Sequence, residues 1–512
     1  MRSHISELDG GSFDVVVIGA GAVGCATARE LAGRGFRTLL IDRADIGAGT
    51  SSRSSRMLYS GLGYLAVRYP LWQMPFRPVD MIQRLLYTRS VMRCRAELAR
   101  EMPGHLSKHR FHYPFRRGDR YPPWLVDIGF RLVEALGGWK VPLAYRRISH
   151  DRAASESALA AGLGGPLRGV GVFEEYMYAW PERICVDTAL DAERRGATLR
   201  TYTSVTGLTR EGGDWTVALE ERAPEAEGRA SVVAQMVVNA TGPWVDRLPG
   251  CHRAGPNRVV GLKGVNVMIR LPERFRGEGL EAFSSKGEPF YVFPWRDHHL
   301  IGPTETVVRD DPDDVHVKDH EIDYILEEAN RLFPDLKLTR AHVLHAWCGV
   351  RPMSTLDGRT TRNAVRVVED PSQPGLATVT GSTIMLHRHA GRKAARAVER
   401  RLGRRGEAPK GLINIPNDRG HDEGIGQVAS TEHVVRLTDL IRRRLPDGLD
   451  AALGRDRAEE LSRIAGASLG WTEARRQDEL ANFAHETATI YRTPKPLPPE
   501  KAPERVHSND QL

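Results

Sequence analysis

Cysteine is scarce in this chain: five in 512 residues, at positions 25, 94, 185, 251 and 348. An odd number at wide spacing excludes a disulfide framework and a cysteine metal cluster, and suits reduced thiols in a cytoplasmic protein. Runs of about 18 apolar residues are absent, so no segment reads as a membrane span. Met1 to Glu7 contain no apolar core ahead of the first strand, so no secretory leader is expected. No basic run exceeds Arg442-Arg-Arg444 and no zinc-ligand spacing occurs, which argues against a nucleic-acid partner. His298 and His299 have no third ligand in sequence reach, so no metal is expected. What remains is a composition of 41% hydrophobic and 27% charged residues, that of a globular protein with room for two or three domains. The formal charge of +8 comes from arginines scattered from Arg2 to Arg505. Such a surface suits anionic substrates or lipid headgroups.

The most informative stretch runs from Asp14 to Gly24, followed by Leu39-Leu-Ile-Asp42. Val15 to Ile18 form the short β-branched run of a central parallel strand. Gly19 permits the tight turn, Gly21 lets the backbone approach a pyrophosphate, and Gly24 lets the next helix lie close to the strand. The unpaired N–H groups opening that helix near Ala22 sit at its positive end and suit phosphate oxygens. Asp42 falls roughly 20 residues on, where a carboxylate accepts the hydroxyls of an adenosine ribose. Strand, glycine turn, helix, strand and acid in this order read as a dinucleotide clamp.

The loop Ala48 to Arg56 is dense in hydroxyls and small residues and suits contacts to phosphates. Residues 69–138 are aromatic, basic and interrupted by proline, with helical spacing from Val79 to Met102. Trp72, Phe76 and the basic residues around them suit a peripheral membrane contact or a buried helix contact. Strands are expected at Arg168–Phe173, Leu199–Val205, Trp215–Leu219 and Val232–Asn239, the last ending in a second glycine stop at Gly242. A helix is expected from Pro181 to Arg195. Further strands follow at Val265–Ile269, Tyr291–Pro294 and His299–Gly302, then a helix from Asp319 to Leu332. A third strand with a glycine stop, Ala377 to Gly381, precedes a helix from His389 to Leu402. Beyond a polar linker (417–426), helices are expected at Glu432–Leu445, Ala458–Ala465 and Thr472–Tyr491, and a Pro-rich tail closes the chain.

With Thr50-Ser-Ser, Ser54-Ser-Arg-Met-Leu58, Tyr64-Leu65, Val238-Asn-Ala-Thr-Gly-Pro-Trp-Val-Asp246, Lys263-Gly264, Phe293-Pro-Trp295 and Gly349-Val-Arg-Pro352 in order, the chain resembles the FAD-dependent glycerol-3-phosphate dehydrogenases. These belong to the wider D-amino-acid-oxidase-like flavoproteins. The resemblance implies an α/β fold: a Rossmann-type FAD-binding domain, an inserted mixed-sheet substrate domain and a short helical C-terminal region. The corresponding division is 12–66, 151–255 and 346–405 for FAD binding, and 67–150 and 256–345 for the substrate part. Residues 427–491 form the helical region and 492–512 the tail. It also implies that Gly19, Gly21, Gly24 and Asp42 hold the ADP half, and that Thr50, Ser51 and Ser52 lie near the pyrophosphate and ribityl chain. Val205 would lie by the adenine, with Ala240, Gly242 and Gly381 closing over the nucleotide.

The chain departs from the family where substrate is bound. The family's His-Gly-Gly-Leu-Arg-Tyr reads Tyr59-Ser-Gly-Leu-Gly-Tyr64, so an arginine is replaced by Gly63. Asn266 replaces a histidine and Ser382 a lysine. Each charge-assisted phosphate contact is worth about 1.5–3 kcal/mol, so glycerol 3-phosphate itself is doubtful as substrate. Arg351 and Arg362 survive and are assigned to hold an anionic group or alkoxide; Asn266 orients it, and His387 is the candidate base. The expected reaction dehydrogenates a CH–OH group of a small anionic polyol, with a quinone or oxygen as electron acceptor. Two alternatives stand beside it: an FAD enzyme for an amine or non-phosphorylated hydroxy compound, and a flavin-binding homologue without turnover.

Overall fold

The computed structural model describes residues 4–67, 69–250, 257–356, 359–360, 365–411 and 422–494. Two sheets share the chain. The first has the strand order Arg366–Glu369, Leu376–Thr380, Arg229–Asn239, Ser12–Ile18, Thr38–Ile41, Thr198–Arg200. Its inner four pairings from Leu376–Thr380 to Thr198–Arg200 are parallel, with Val17 between Leu40 and Val238. Strand Ser12–Ile18 is buried on both faces from Val15 onward, which is why it reads as a continuous apolar run rather than an alternating one. Helix Ala22–Gly33 lies between helices Pro181–Arg194 and His387–Leu402, covering one side. A hairpin, Thr203–Glu211 and Asp214–Glu221, extends the sheet through Arg229–Asn239.

The second sheet is mixed. One antiparallel pair, Val259–Ile269 with Val343–Leu356, sets Gly264 opposite Gly349 and Leu262 opposite Arg351. Helix Asp319–Leu332, with the bounds expected from its spacing, buries Ile322, Ile325 and Leu326 against Val265 and Val267 of one face. An aromatic cluster that includes Phe111, Phe173, Tyr291 and Trp347 fills the other side.

Several boundaries differ from the sequence reading. Strand Leu167–Tyr178 pairs along its length with Leu106–Arg116 and so belongs to the second sheet, not to a nucleotide-binding segment starting at 151. Strand Val343–Leu356 likewise stays in the second sheet past residue 346, and Met57–Leu58 pairs there too. A strand's own pattern shows that it is buried; the partner that claims it is set by distant residues. The polar stretch taken for a linker enters helix Asp422–Thr431. The single helix expected from Glu432 to Leu445 is absent: His433 has φ 57°, and helix begins again only at Leu437. It continues as a π-helical turn, Leu440–Arg444, which turns all three arginines inward. The proline-rich residues 495–512 lie outside the described residues.

The C-terminal helices have their own core, including Ile425, Leu437, Ile441, Leu461 and Phe483. They are tied to the first sheet by buried charge. Arg443 Nε donates to Asp45 Oδ2 at 2.5 Å and Arg444 Nη2 to Asp45 Oδ1 at 2.8 Å, with all three side chains buried. Tyr202 donates to Asp439 at 2.7 Å, and Arg183 is paired with Glu432.

Candidate active site

A cleft of about 1100 Å³ runs between the C-terminal ends of the first sheet and the glycine-bearing strands of the second. At one end the first glycine turn is closed by contact. A Cβ on Gly19, whose φ is +102°, would meet Ala240 O at 2.8 Å, and one on Gly24 would lie 1.6 Å from Gly19 O. Asp42 accepts from the N–H of Ala20 at 2.6 Å and of Ala44 at 2.9 Å, so the backbone fixes both oxygens. Burial pushes its carboxyl up to about 6, against these two N–H donors. Ser51 Oγ accepts from Ala22 N at 3.0 Å, tying the hydroxyl loop to the positive end of the helix. Thr50 donates to Val350 O at 2.9 Å and thereby joins that loop to the second sheet.

At the other end, alternate residues of neighbouring strands face the cleft: Gly264 and Asn266 from one, Gly349 and Arg351 from the other. The opposed glycines leave a flat floor; a Cβ at Gly349 would lie 2.7 Å from Arg53 O. Asn266 is 1% exposed and its Oδ1 has no partner among the described residues. Arg351 Nη2 reaches Glu305 Oε1 at 3.2 Å. Tyr64 and residues Ser382 to Met385 complete this end, and burial pushes the Tyr64 hydroxyl up to about 12.

Of the residues assigned from sequence, Gly19, Gly21, Asp42, Thr50, Ser51, Val205, Ala240, Gly242, Asn266 and Arg351 line the cleft, and Gly24 shapes the turn behind it. Ser52 does not: its hydroxyl turns away to Gly47 O at 2.6 Å. Gly381 is buried behind the lining residues Ser382 and Thr383, with φ +72° as a turn residue. Arg362 lies outside the described residues. His387 is not on the cleft. It is fully buried, its Nδ1 lies 2.6 Å from Ile384 O, and burial lowers its pKa to about 4; its place behind the cleft wall, out of reach of a substrate hydroxyl, speaks against it as the base. No histidine lines the cleft among the described residues. Tyr64, Arg53, Trp244 and Glu486 also line it and were not assigned. Tyr64 and Trp244 stood inside the quoted motifs, and Arg53 in the hydroxyl loop. Glu486, on helix Glu473–Ile490, gave no local signal.

Residues 59 and 63 fit each other. Tyr59 Oη accepts from Gly63 N, and a Cβ at Gly63 would lie 2.8 Å from that oxygen. Tyr59 therefore fills the place where a side chain at 63 would start. Its hydroxyl donates to Glu281 at 2.8 Å, a buried carboxyl raised to about 8 by desolvation.

The donor set fits a dinucleotide with a flat ring: a glycine cradle, a helix N-terminus, an acid at the second strand and a level floor. Three buried polar atoms along the cleft, Arg53 Nε, Trp244 Nε1 and Asn266 Oδ1, have no hydrogen-bond partner among the described residues and suit a polar ligand. Among the described residues no group of three His, Cys, Asp or Glu could hold a metal. The family model for FAD dependent oxidoreductases (DAO) matches residues 14–397. The chain belongs to this family. Its cofactor is FAD. This FAD-dependent oxidoreductase is 28% identical over 421 residues to a glycerol-3-phosphate dehydrogenase of Synechocystis, covering 78% of the chain and 72% of that protein. It is 31% identical over 358 residues to D-erythritol 1-phosphate dehydrogenase of Brucella abortus, covering 69% and 66%. Its fold is similar to that of the glycerol-3-phosphate dehydrogenase of Bacillus halodurans complexed with FAD, with TM-score 0.70, 20% identity and coverage of 94% and 96%.

Proposed function

We propose that this oxidoreductase dehydrogenates a CH–OH carbon of a small anionic polyol other than glycerol 3-phosphate. The observation that carries the reading is the meeting of Arg351 and Asn266, from adjacent strands, at the floor of the cleft. Bound FAD supplies the two-electron acceptor for the carbon–hydrogen bond. Arg351 holds the substrate's anionic group or developing alkoxide by charge-assisted hydrogen bonds. Asn266, unpartnered and buried, orients a hydroxyl, Tyr64, protonated at neutral pH, donates to a substrate oxygen, and the substrate hydroxyl's proton passes to water. The Arg351 side chain is 39% exposed, so this end is open to water. The names of the two relatives, both polyol-phosphate dehydrogenases, support the class, and the basic residues that the family resemblance leads one to expect at Gly63 and Ser382 are absent, which disfavours glycerol 3-phosphate. A quinone or oxygen takes the electrons onward, and the basic cap around Trp72 contacts a membrane peripherally.

The Arg351–Glu305 pair favours a second reading, since a carboxylate beside the guanidinium weakens its hold on a phosphate. Under it, the substrate is an amine or a non-phosphorylated hydroxy compound. Anaerobic bleaching of the bound flavin with a panel of polyol phosphates, polyols and amines separates the two. Bleaching by polyol phosphates that Arg351→Ala abolishes, with flavin still bound, supports the first. Bleaching by amines alone supports the second, and none by any compound identifies a flavin protein without turnover. Reoxidation by oxygen or by a quinone analogue then assigns the acceptor.

A further inference from the structure

The mouth of the cleft is crossed by contacts that join its two sheets. On the second sheet, strand Thr306–Val308 pairs with Gly261 to Lys263 and leads into the turn Pro312–Asp314. Asp311 caps that turn, its carboxylate accepting from Asp313 N at 3.0 Å. The chain beyond the turn is fastened to both floor strands. Lys263 Nζ donates to His316 O at 2.6 Å, and Cys348 Sγ donates to Val315 O at 3.4 Å. Lys263 is itself held at 2.6 Å by Glu321, and both side chains are buried. The turn therefore moves with the strands that carry Gly264 and Gly349, not as a free loop.

From the first sheet two arginines reach it. Arg43 directly follows Asp42, and its Nη2 lies 2.9 Å from each carboxylate oxygen of Asp313. Arg247 ends the turn Gly242–Arg247, after the second glycine stop, and is paired with Asp311. Trp244 of the same turn stacks on Arg43, whose guanidinium carbon is 5.0 Å from the ring centroid. The indole also rests on the hydroxyl loop: a Cβ at Gly49 would lie 3.3 Å from Trp244 Cζ3. Arg43, Gly49, Trp244, Arg247, Asp311 and Asp313 all line the cleft. The four charged side chains are between 34% and 54% exposed, so salt screens both pairs. Trp244 Nε1 is buried and has no hydrogen-bond partner among the described residues, which suits an acceptor on a molecule held in the cleft.

We propose that Arg43, Trp244 and Arg247 of the first sheet and the acids Asp311 and Asp313 of the second form a clasp over bound FAD, which sets how slowly the cofactor enters and leaves. This rests on the cofactor and not on the class of substrate. Both members of each ion pair belong to the protein. Their loss therefore lowers the barrier to entry and to exit together, and changes the affinity less than it changes either rate. Two exposed pairs are together worth about twofold to thirtyfold in such a rate.

Exchange of bound FAD for isotopically labelled FAD, followed on the loaded full chain, tests the proposal. Asp311→Asn with Asp313→Asn removes both pairs and keeps the turn, since asparagine caps as aspartate does. The double variant is expected to exchange about twofold to thirtyfold faster at low salt. High salt is expected to speed the parent chain by the same order and the double variant far less. Titration of the stripped chains with FAD should show an affinity loss smaller than the gain in rate. Arg247→Gln breaks one pair from the other side and should match Asp311→Asn alone. A double variant that exchanges as slowly as the parent overturns the proposal, as does an equal effect of salt on both. An affinity loss as large as the gain in rate also overturns it, because the acids then hold the cofactor or the fold and not a barrier. Flavin bleaching by substrates is read separately: a chain whose variant exchanges faster but which no compound bleaches refutes only the dehydrogenase reading, and the converse refutes only the clasp.

Discussion

Gly24→Ala is the sharpest test of how the glycine turn works. The added methyl would sit 1.6 Å from Gly19 O, and the atom in its way is backbone, which cannot swing aside. Reaching ordinary contact requires helix Ala22–Gly33 to retreat from the strand by more than 1.5 Å, since contact begins near about 3.4 Å. Alanine gains at most about 1 kcal/mol of helix propensity over glycine. Overpacking of a close-fitted interior costs about 1–3 kcal/mol or more, so the balance is destabilising. The larger effect falls on the cofactor. The helix N–H groups move away from the phosphate position, and each charge-assisted bond lost is worth about 1.5–3 kcal/mol, roughly ten- to hundredfold in FAD affinity. Flavin absorbance per purified chain, followed by FAD titration of the stripped protein, measures this. Gly104→Ala, where a Cβ meets nothing within 4 Å, is the control and should retain flavin. If Gly24→Ala holds FAD as tightly as the parent chain, close strand–helix contact is not what the cradle depends on.

Four further outcomes are expected. Because burial raises the Asp42 carboxyl to about 6, acidification through pH 6 protonates it and weakens FAD binding; released-flavin fluorescence should show that step, and Asp42→Asn should lack it. In the flavin-free chain the sign reverses: the folded state holds the extra proton, so Asp42 penalises stability progressively as pH rises from 3.8 through about 6, as urea unfolding would register. Asp45→Ala leaves Arg443 and Arg444 buried without their shared carboxylate and should cost about 3–5 kcal/mol with loss of flavin, seen by thermal unfolding. His387→Gln should lower stability by about 1 kcal/mol yet leave the pH–rate profile between pH 5 and 8 in place; disappearance of an ionisation from that profile would restore His387 as the base.

The glycine-turn end of the cleft was legible because its geometry is local: Gly19, Gly21, Gly24 and Asp42 lie within one strand–helix–strand unit. Helix Asp319–Leu332 was legible for the same reason, an apolar stripe at helical spacing bounded by polar residues. The reaction end was read only through motifs, and the two residues that reach the cleft, Asn266 and Arg351, sit on paired strands whose alternation fixes their side. His387 failed because its position in a motif says nothing of whether its ring faces the cleft or the helix interior. Strand Leu167–Tyr178 was placed with the wrong sheet, since pairing partners 60 residues apart are not written in its own pattern. The π-helical turn at Leu440–Arg444 was missed because three consecutive arginines look solvent-bound until Asp45 supplies their countercharge.

That countercharge has a bearing on the order in which the protein is assembled. Asp45 follows the nucleotide acid by three positions, yet its guanidinium partners are made almost 400 residues later. During synthesis the cradle therefore waits with an unneutralised carboxylate beside it, and the wall that Glu486 contributes is still missing. Flavin capture becomes an event of the finished polypeptide, so a ribosome-stalled or C-terminally clipped chain should emerge colourless.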